Sequence, residues 1–131
     1  MQFDPADPWF YNRSYLDALS SWPGRTPEEI RSQLPKYVLM LATLQGDLFQ
    51  IQRILVSHVA NINDTVAEWP GTPIWYAVQR NDPELVDYLL DFGPDLTIVN
   101  PEYEMNAHQL ALNKGNKKIV DMIEAKLNKK K

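Results

Sequence analysis

The sequence predicts an all-α protein built from three pairs of short helices. From Pro35 onward the apolar residues follow helical rather than alternating spacing, which excludes a strand-based domain. The same pattern also recurs along the chain, because the small residues Ala42, Ala77 and Ala111 lie 35 and 34 positions apart. Short helices that recur at such a period are typical of helical repeat proteins.

Each copy of the pattern ends its first helix at a residue that tolerates positive φ, namely Gly46, Asn81 or Gly115. An apolar helix in matching register follows each of these residues. The predicted helices span 36–45, 48–57, 73–80, 83–92, 107–114 and 117–127.

The first 35 residues lie outside this period. Asp7-Pro8 and Thr26-Pro27 indicate two helix starts, because proline fits the first turn and the preceding residue can cap it. The first helix is expected to end near Ser20 and the second to span 27–34. We expect a helical cap that buries five residues on the first repeat: Trp9, Phe10, Tyr15, Leu16 and Leu19.

The segment Thr72-Pro73-Ile74-Trp75-Tyr76-Ala77 resembles the Thr-Pro-Leu-His-x-Ala opening of an ankyrin repeat. Thr72 can cap the helix, and Gly93 can end the following helix in a left-handed conformation. The resemblance implies an ankyrin-like α-solenoid with β-turn fingers. Its predicted repeats cover 36–65, 66–100 and 101–127, behind a cap at 1–35 and before a basic tail at 128–131.

Two residues depart from the family pattern. Trp75 stands where the family usually has a histidine that ties neighbouring repeats through backbone hydrogen bonds, and Gln109 stands there in the third repeat. The resemblance therefore implies that this link is altered.

Charge is distributed unevenly in this chain of 131 residues with net charge −4. Residues 1–113 hold 15 acids and 6 bases, whereas 114–131 hold 2 acids and 7 lysines. An acidic body argues against duplex nucleic acid as the ligand. The start, MQFDPADPWF, resembles neither a signal peptide nor a membrane span, and there are no cysteines, so we expect a cytoplasmic protein that engages no membrane.

The ankyrin resemblance implies that fingers and first helices grip another protein, as an adaptor, an inhibitor or an immunity-type neutraliser. Because the body is acidic, that partner is expected to carry a basic patch. Carried onto this sequence, the partner-binding positions are Glu68, Trp69, Gln79, Arg80, Glu102, Tyr103, Glu104, Asn113 and Lys114. Trp69 is either a contact residue or local packing, while Trp75 and Tyr76 are expected in the core.

Nothing in the sequence indicates catalysis or a cofactor. His58 and His108 lack metal-ligand spacing and are expected to be structural, with His108 at an apolar position. One alternative is a small-molecule binder or enzyme whose pocket lies between the aromatic N-terminal segment and the repeats. As to assembly, we expect a monomer or a weak homo-oligomer that uses the exposed end of the last repeat.

Overall fold

A computed structural model describes residues 11, 13–20, 26–66 and 69–129 of the chain. These residues form helices and turns, and their bridging β-pairs are isolated ones, so the predicted all-α class is confirmed for this part of the chain. The chain divides into two compact units, Met1–Asn61 and Ile62–Lys131.

The first unit contains four helices among its described residues: α1 (Arg13–Ser20), α2 (Pro27–Ser32), α3 (Leu34–Gln45) and α4 (Leu48–Val56). Helix α3 packs against α4, and α1 packs against both α3 and α2. Gly46 separates α3 from α4 with a left-handed φ of 72°, and the Asp47 side chain caps α4 by accepting from the Gln50 amide at 3.2 Å. The turn therefore reverses the chain within two residues.

Helix α1 is attached to the start of α4. The Tyr15 hydroxyl donates to Asp47 Oδ2 at 2.8 Å, and both Tyr15 and Leu19 are buried. Burial of its ring and the neighbouring Asp47 raise the pKa of Tyr15. Leu16 is only half-buried, and Trp9 and Phe10 lie outside the described residues. The N-terminal cap thus stays a prediction.

The second unit holds α5 (Pro73–Gln79), α6 (Pro83–Leu90), α7 (Ala107–Lys114) and α8 (Lys117–Lys129). Within each pair the two helices pack together, and α5 also packs on α7 while α6 packs on α8. One helix pair is therefore stacked on the next in the same register. Its core side chains are almost fully buried: Ile74, Trp75, Ala77, Val78, Leu85, Val86, Leu89, Ala111, Ile119 and Ile123.

The predicted helix bounds agree with the structure to within one or two residues at each end of the six repeat helices. The predicted left-handed residues are also confirmed, since φ is 61° at Asn81, 69° at Gly93 and 72° at Gly115. One prediction about helix starts is wrong. Thr72 has an extended backbone at the start of α5, but its side chain makes no capping hydrogen bond.

Candidate protein-binding surface

The two loops that correspond to ankyrin fingers are closed by isolated β-bridges, Val66 with Trp69 and Asn100 with Met105. We call residues 66–69 the first finger and residues 100–105 the second finger. Both belong to the second unit, which also contains every residue of the predicted binding surface.

Asn100 organises the second finger. Its backbone amide donates to the Met105 carbonyl at 2.8 Å, and its own carbonyl accepts from the amides of Tyr103 at 3.2 Å and Glu104 at 2.7 Å. Its side-chain oxygen accepts from the Glu102 amide at 2.9 Å, and the residue is buried. These bonds hold the loop in one conformation, including a left-handed φ of 57° at Glu104.

Trp75 ties α5 to the second finger. Its indole Nε1 donates to the Met105 carbonyl at 3.0 Å, across 30 residues of sequence, while the ring itself is buried. The predicted change from the family histidine therefore alters the donor, but the connection from a first helix to the next finger is retained. Gln109, in the same position of α7, bonds instead within its own helix.

Tyr103 lies on top of Trp75 and keeps 47% of its own surface exposed. The two ring centroids are 5.0 Å apart with the planes tilted by 33°. On another side of the indole, Tyr76 packs edge-on with a centroid separation of 4.9 Å. Two buried aromatic rings thus support one half-exposed ring at the second finger.

The Tyr76 hydroxyl lies beneath the second finger, and several neighbouring groups change its pKa. Burial raises its pKa most strongly, whereas the hydrogen bond from the Gly71 amide, at 3.3 Å, opposes the rise, and the negative charge of Glu102 adds to it. Glu102 therefore acts electrostatically on this hydroxyl. Glu102 and Tyr103 are neighbours in the second finger, and both are exposed.

The first finger is described only in part. The Trp69 amide donates to the Val66 carbonyl at 3.1 Å, and the Trp69 side chain is half-buried. This intermediate exposure fits both local packing and contact with a partner. Glu68, the other predicted residue of this finger, lies outside the described residues.

The structure brings the ends of α5 and α7 together. Asn116 Nδ2 donates to Asn81 Oδ1 at 2.8 Å, joining the turns that follow the two helices. Gln79 is half-buried there, while Arg80, Asn113 and Lys114 are exposed. Arg80 Nε lies 3.3 Å from Asp82 Oδ2, so its charge is partly compensated.

Several exposed apolar side chains were not predicted. In the second unit these are Val99 and Leu112, and in the first unit Phe49 and Val56. Phe49 and Val56 line a shallow groove on α4, where the Arg53 guanidinium lies 5.0 Å from the Phe49 ring centroid. The seven-residue spacing of Phe49 and Val56, outside the buried stripe of α4, is a signal from which sequence reasoning could have found them.

The two histidines occupy different positions in the helix pairs. His58 is exposed just after α4 with a left-handed φ of 58°, and its backbone amide donates to the Leu55 carbonyl in the last turn at 3.2 Å. The predicted apolar surroundings of His108 are wrong, because its Nε2 lies 3.0 Å from Glu124 Oε2 and so joins α7 to α8.

The described part of the chain contains neither a metal-binding cluster nor a membrane-spanning helix. Over residues 11, 13–20, 26–66 and 69–129, no three acidic, histidine or cysteine side chains are grouped so that they could hold a metal ion. Within the same ranges, no helix has the length and apolar character needed to cross a membrane.

Stacked helix pairs with left-handed turn residues and bridged fingers define a helical repeat protein. A family model of three ankyrin repeats matches residues 39–131, which is more than half of the chain. The chain belongs to the ankyrin-repeat family, whose repeats generally serve as protein–protein interaction modules. A comparison with curated proteins gave no match.

Proposed function

We propose that this chain holds a partner protein through the fingers and first-helix ends of its second unit, as an adaptor, an inhibitor or an immunity-type neutraliser. The observation that carries the proposal is the Asn81–Asn116 bond together with the packing of α5 on α7. It joins the turn after Arg80 in one repeat to the turn after Lys114 in the next. Residues from separate repeats can therefore contact one partner at once.

The physical basis of binding is a surface that is ordered before the partner arrives. The core beneath the binding surface is buried, and the second finger is held by its own hydrogen bonds. A partner would then meet side chains whose backbone has already lost its conformational entropy. Repeat proteins gain such rigidity because each repeat stacks on its neighbours.

Charge supports a partner with a basic patch. Residues 62–106 contain 9 acids and 1 base, a net charge of 1 − 9 = −8, and the single base, Arg80, is paired with Asp82. Opposite charges raise the association rate of two proteins and are screened by salt. We therefore expect binding to weaken as the salt concentration rises.

Affinity capture with matched variants tests this proposal. The full chain, Trp69→Ala and Asp87→Ala are each used as bait in a lysate of the source cells, after circular dichroism has shown equal helix content. Asp87 is exposed on α6, away from the fingers in sequence, and serves as the control. We expect a protein that is retained by the full chain and by Asp87→Ala but depleted at least about fivefold by Trp69→Ala.

Equal capture by all three baits would show that Trp69 does not take part in binding the partner. If Arg80→Ala and Tyr103→Ala also left capture unchanged, the proposed surface would be wrong. The alternative of a small-molecule pocket involves five N-terminal aromatic residues. Tyr11 and Tyr15 are buried, and Trp9, Phe10 and Trp22 lie outside the described residues. The repeat boundaries at 36–65, 66–100 and 101–127, and a monomeric or weakly associating state, likewise belong to this proposal.

A further inference from the structure

We propose that the second finger accepts an arginine side chain of the partner, whose guanidinium stacks on Tyr103 while Glu102 neutralises its charge. This inference rests on the proposed function and assigns the chemistry of one contact within it. Its starting point is that Tyr103 is the exposed member of a rigid aromatic stack.

Tyr103 is supported by a buried aromatic ring and by a backbone hydrogen bond. Trp75 beneath it is 1% exposed and is itself fixed by its hydrogen bond to the Met105 carbonyl. The backbone amide of Tyr103 is bonded to the Asn100 carbonyl at 3.2 Å. Both the ring and its backbone are therefore ordered before binding, which lowers the entropy lost when a ligand stacks on the ring.

A tyrosine that served only to cover Trp75 could do so with its ring laid flat and its edges enclosed. Tyr103 instead leaves 47% of its surface exposed to solvent. An exposed aromatic ring attracts cations, because its π-face carries negative electrostatic potential.

The surroundings of the ring favour a cation further. Glu102 and Glu104 stand on either side of Tyr103 in sequence and are both exposed. The Glu102 amide donates to the Asn100 side-chain oxygen at 2.9 Å, so the backbone that carries this carboxylate is fixed directly before Tyr103. No lysine or arginine occurs between Arg80 and Lys114, so the sequence supplies no base of its own within this stretch.

Among cations the geometry favours arginine over lysine. A guanidinium is planar, stacks on an aromatic face and can present two N–H groups to one carboxylate at the same time. Lysine offers a compact, strongly hydrated charge that gains less from a flat ring. An exposed aromatic ring with a carboxylate residue directly before it in the loop is therefore matched best by an arginine.

The test is an NMR titration of the full ¹⁵N-labelled chain with the tripeptide acetyl-Gly-Arg-Gly-amide. The matched probes replace arginine by lysine or by citrulline, which keeps the shape of arginine without its charge. We expect concentration-dependent shifts at the amides of residues 102–104 and at the Trp75 indole. They should be strongest for arginine, weaker for lysine and absent for citrulline.

Variants separate recognition from folding. Tyr103→Ala should lower the affinity for the arginine probe about fivefold, and Tyr103→Phe should leave it nearly unchanged, because only the ring is needed. Glu102→Gln should lower it about twofold to fivefold without disturbing the stack. Val99→Ala, which removes a comparably exposed apolar side chain, should have no effect.

Equal shifts for arginine and citrulline, or shifts confined to other residues, would overturn the inference. So would an unchanged affinity in Tyr103→Ala and Glu102→Gln. These results would leave the proposed function standing if Trp69→Ala still abolished partner capture. If the arginine probe failed in this way and Trp69→Ala also left partner capture unchanged, both proposals would be contradicted.

Discussion

The helix starts of the second and third repeats perform the same task with different residues. At α5 the chain uses Pro73 in the first turn, and the Thr72 side chain makes no capping bond. At α7, Asn106 accepts from the Gln109 amide at 2.8 Å while Gln109 Oε1 accepts from the Asn106 amide at 2.9 Å. This reciprocal pair is a capping box, which satisfies two otherwise unpaired amides.

The same comparison holds one turn into each helix. Trp75 of α5 reaches forward to the second finger, whereas Gln109 of α7 turns back to its own helix start. The large residue therefore links repeats, and the polar one stabilises a helix end. A single position in the repeat can serve either purpose, depending on the side chain's length and its hydrogen-bonding groups.

Removing Trp75 should have the largest effect of the changes considered. Trp75→Ala deletes a buried ring and the hydrogen bond to Met105, so we expect a loss of about 3–5 kcal/mol in unfolding free energy. Urea denaturation followed by circular dichroism measures it. Trp75→Phe, which keeps an aromatic ring but loses the donor, should cost clearly less. If both variants lost the same amount, the ring's packing would not contribute.

Gly71 is the next most sensitive position. An added Cβ would lie 2.9 Å from Asn100 Nδ2, 3.1 Å from Tyr76 and 3.3 Å from Trp75. Gly71→Ala should therefore cost about 1–3 kcal/mol through overpacking beneath the second finger. Gly115→Ala is the matched control, since its Cβ would meet no atom within 4 Å and only the positive φ opposes it. Thermal unfolding of both variants compares crowding with backbone strain, and a larger loss for Gly115→Ala would contradict this ranking.

The capping box of α7 should contribute a smaller amount. Asn106→Ala leaves the Gln109 amide without its side-chain acceptor and is expected to cost about 1 kcal/mol. Asn106→Asp retains an acceptor at the same place and should recover most of that loss. Amide hydrogen exchange near Gln109 gives a local readout. Unchanged protection in Asn106→Ala would show that the box adds nothing to the helix.

Alkaline pH should weaken α5 and its surroundings more than α7. Tyr76 occupies the repeat position that Leu110 holds in α7, and burial raises the pKa of its hydroxyl. Its neutral form is favoured in the fold, so the stabilisation is complete below the unfolded pKa of about 10 and is lost as the pH rises through the folded value. Tyr76→Phe should flatten the fall in unfolding free energy above pH 10. Tyr88→Phe is a comparison variant that should also flatten part of the fall, because burial raises the pKa of Tyr88 too, although this tyrosine lies outside the finger. If the unfolding free energy fell equally steeply with pH in the wild type and in Tyr76→Phe, the loss of stability would have to come from other tyrosines.

Most of the repeat architecture could be predicted because its signals are local. Proline in a first turn, glycine or asparagine at a left-handed turn and an apolar stripe each act within a few residues. The spacing of Ala42, Ala77 and Ala111 then shows that the local pattern recurs. Thr72 shows the limit of such reasoning, since a suitable side chain did not make the expected cap.

The sequence predicted which positions form the candidate surface, but it did not predict the burial or the contacts of the side chains at those positions. Analogy with the repeat family selected Tyr103 and Arg80, but their surroundings depend on residues far away in sequence. Tyr103 rests on Trp75, which lies 28 positions earlier, and His108 pairs with Glu124 on the next helix. No local pattern contains those contacts.

The sequence by itself determined the class of fold, the helix bounds and the acidic character of the body, because periodicity, turn chemistry and charge are properties of the chain alone. Only the tertiary structure decided that Trp75 keeps the link between repeats and that Tyr103 remains half-exposed on top of it. Both outcomes depend on how α5 and the second finger pack. Packing depends on the shapes of side chains that meet only after folding.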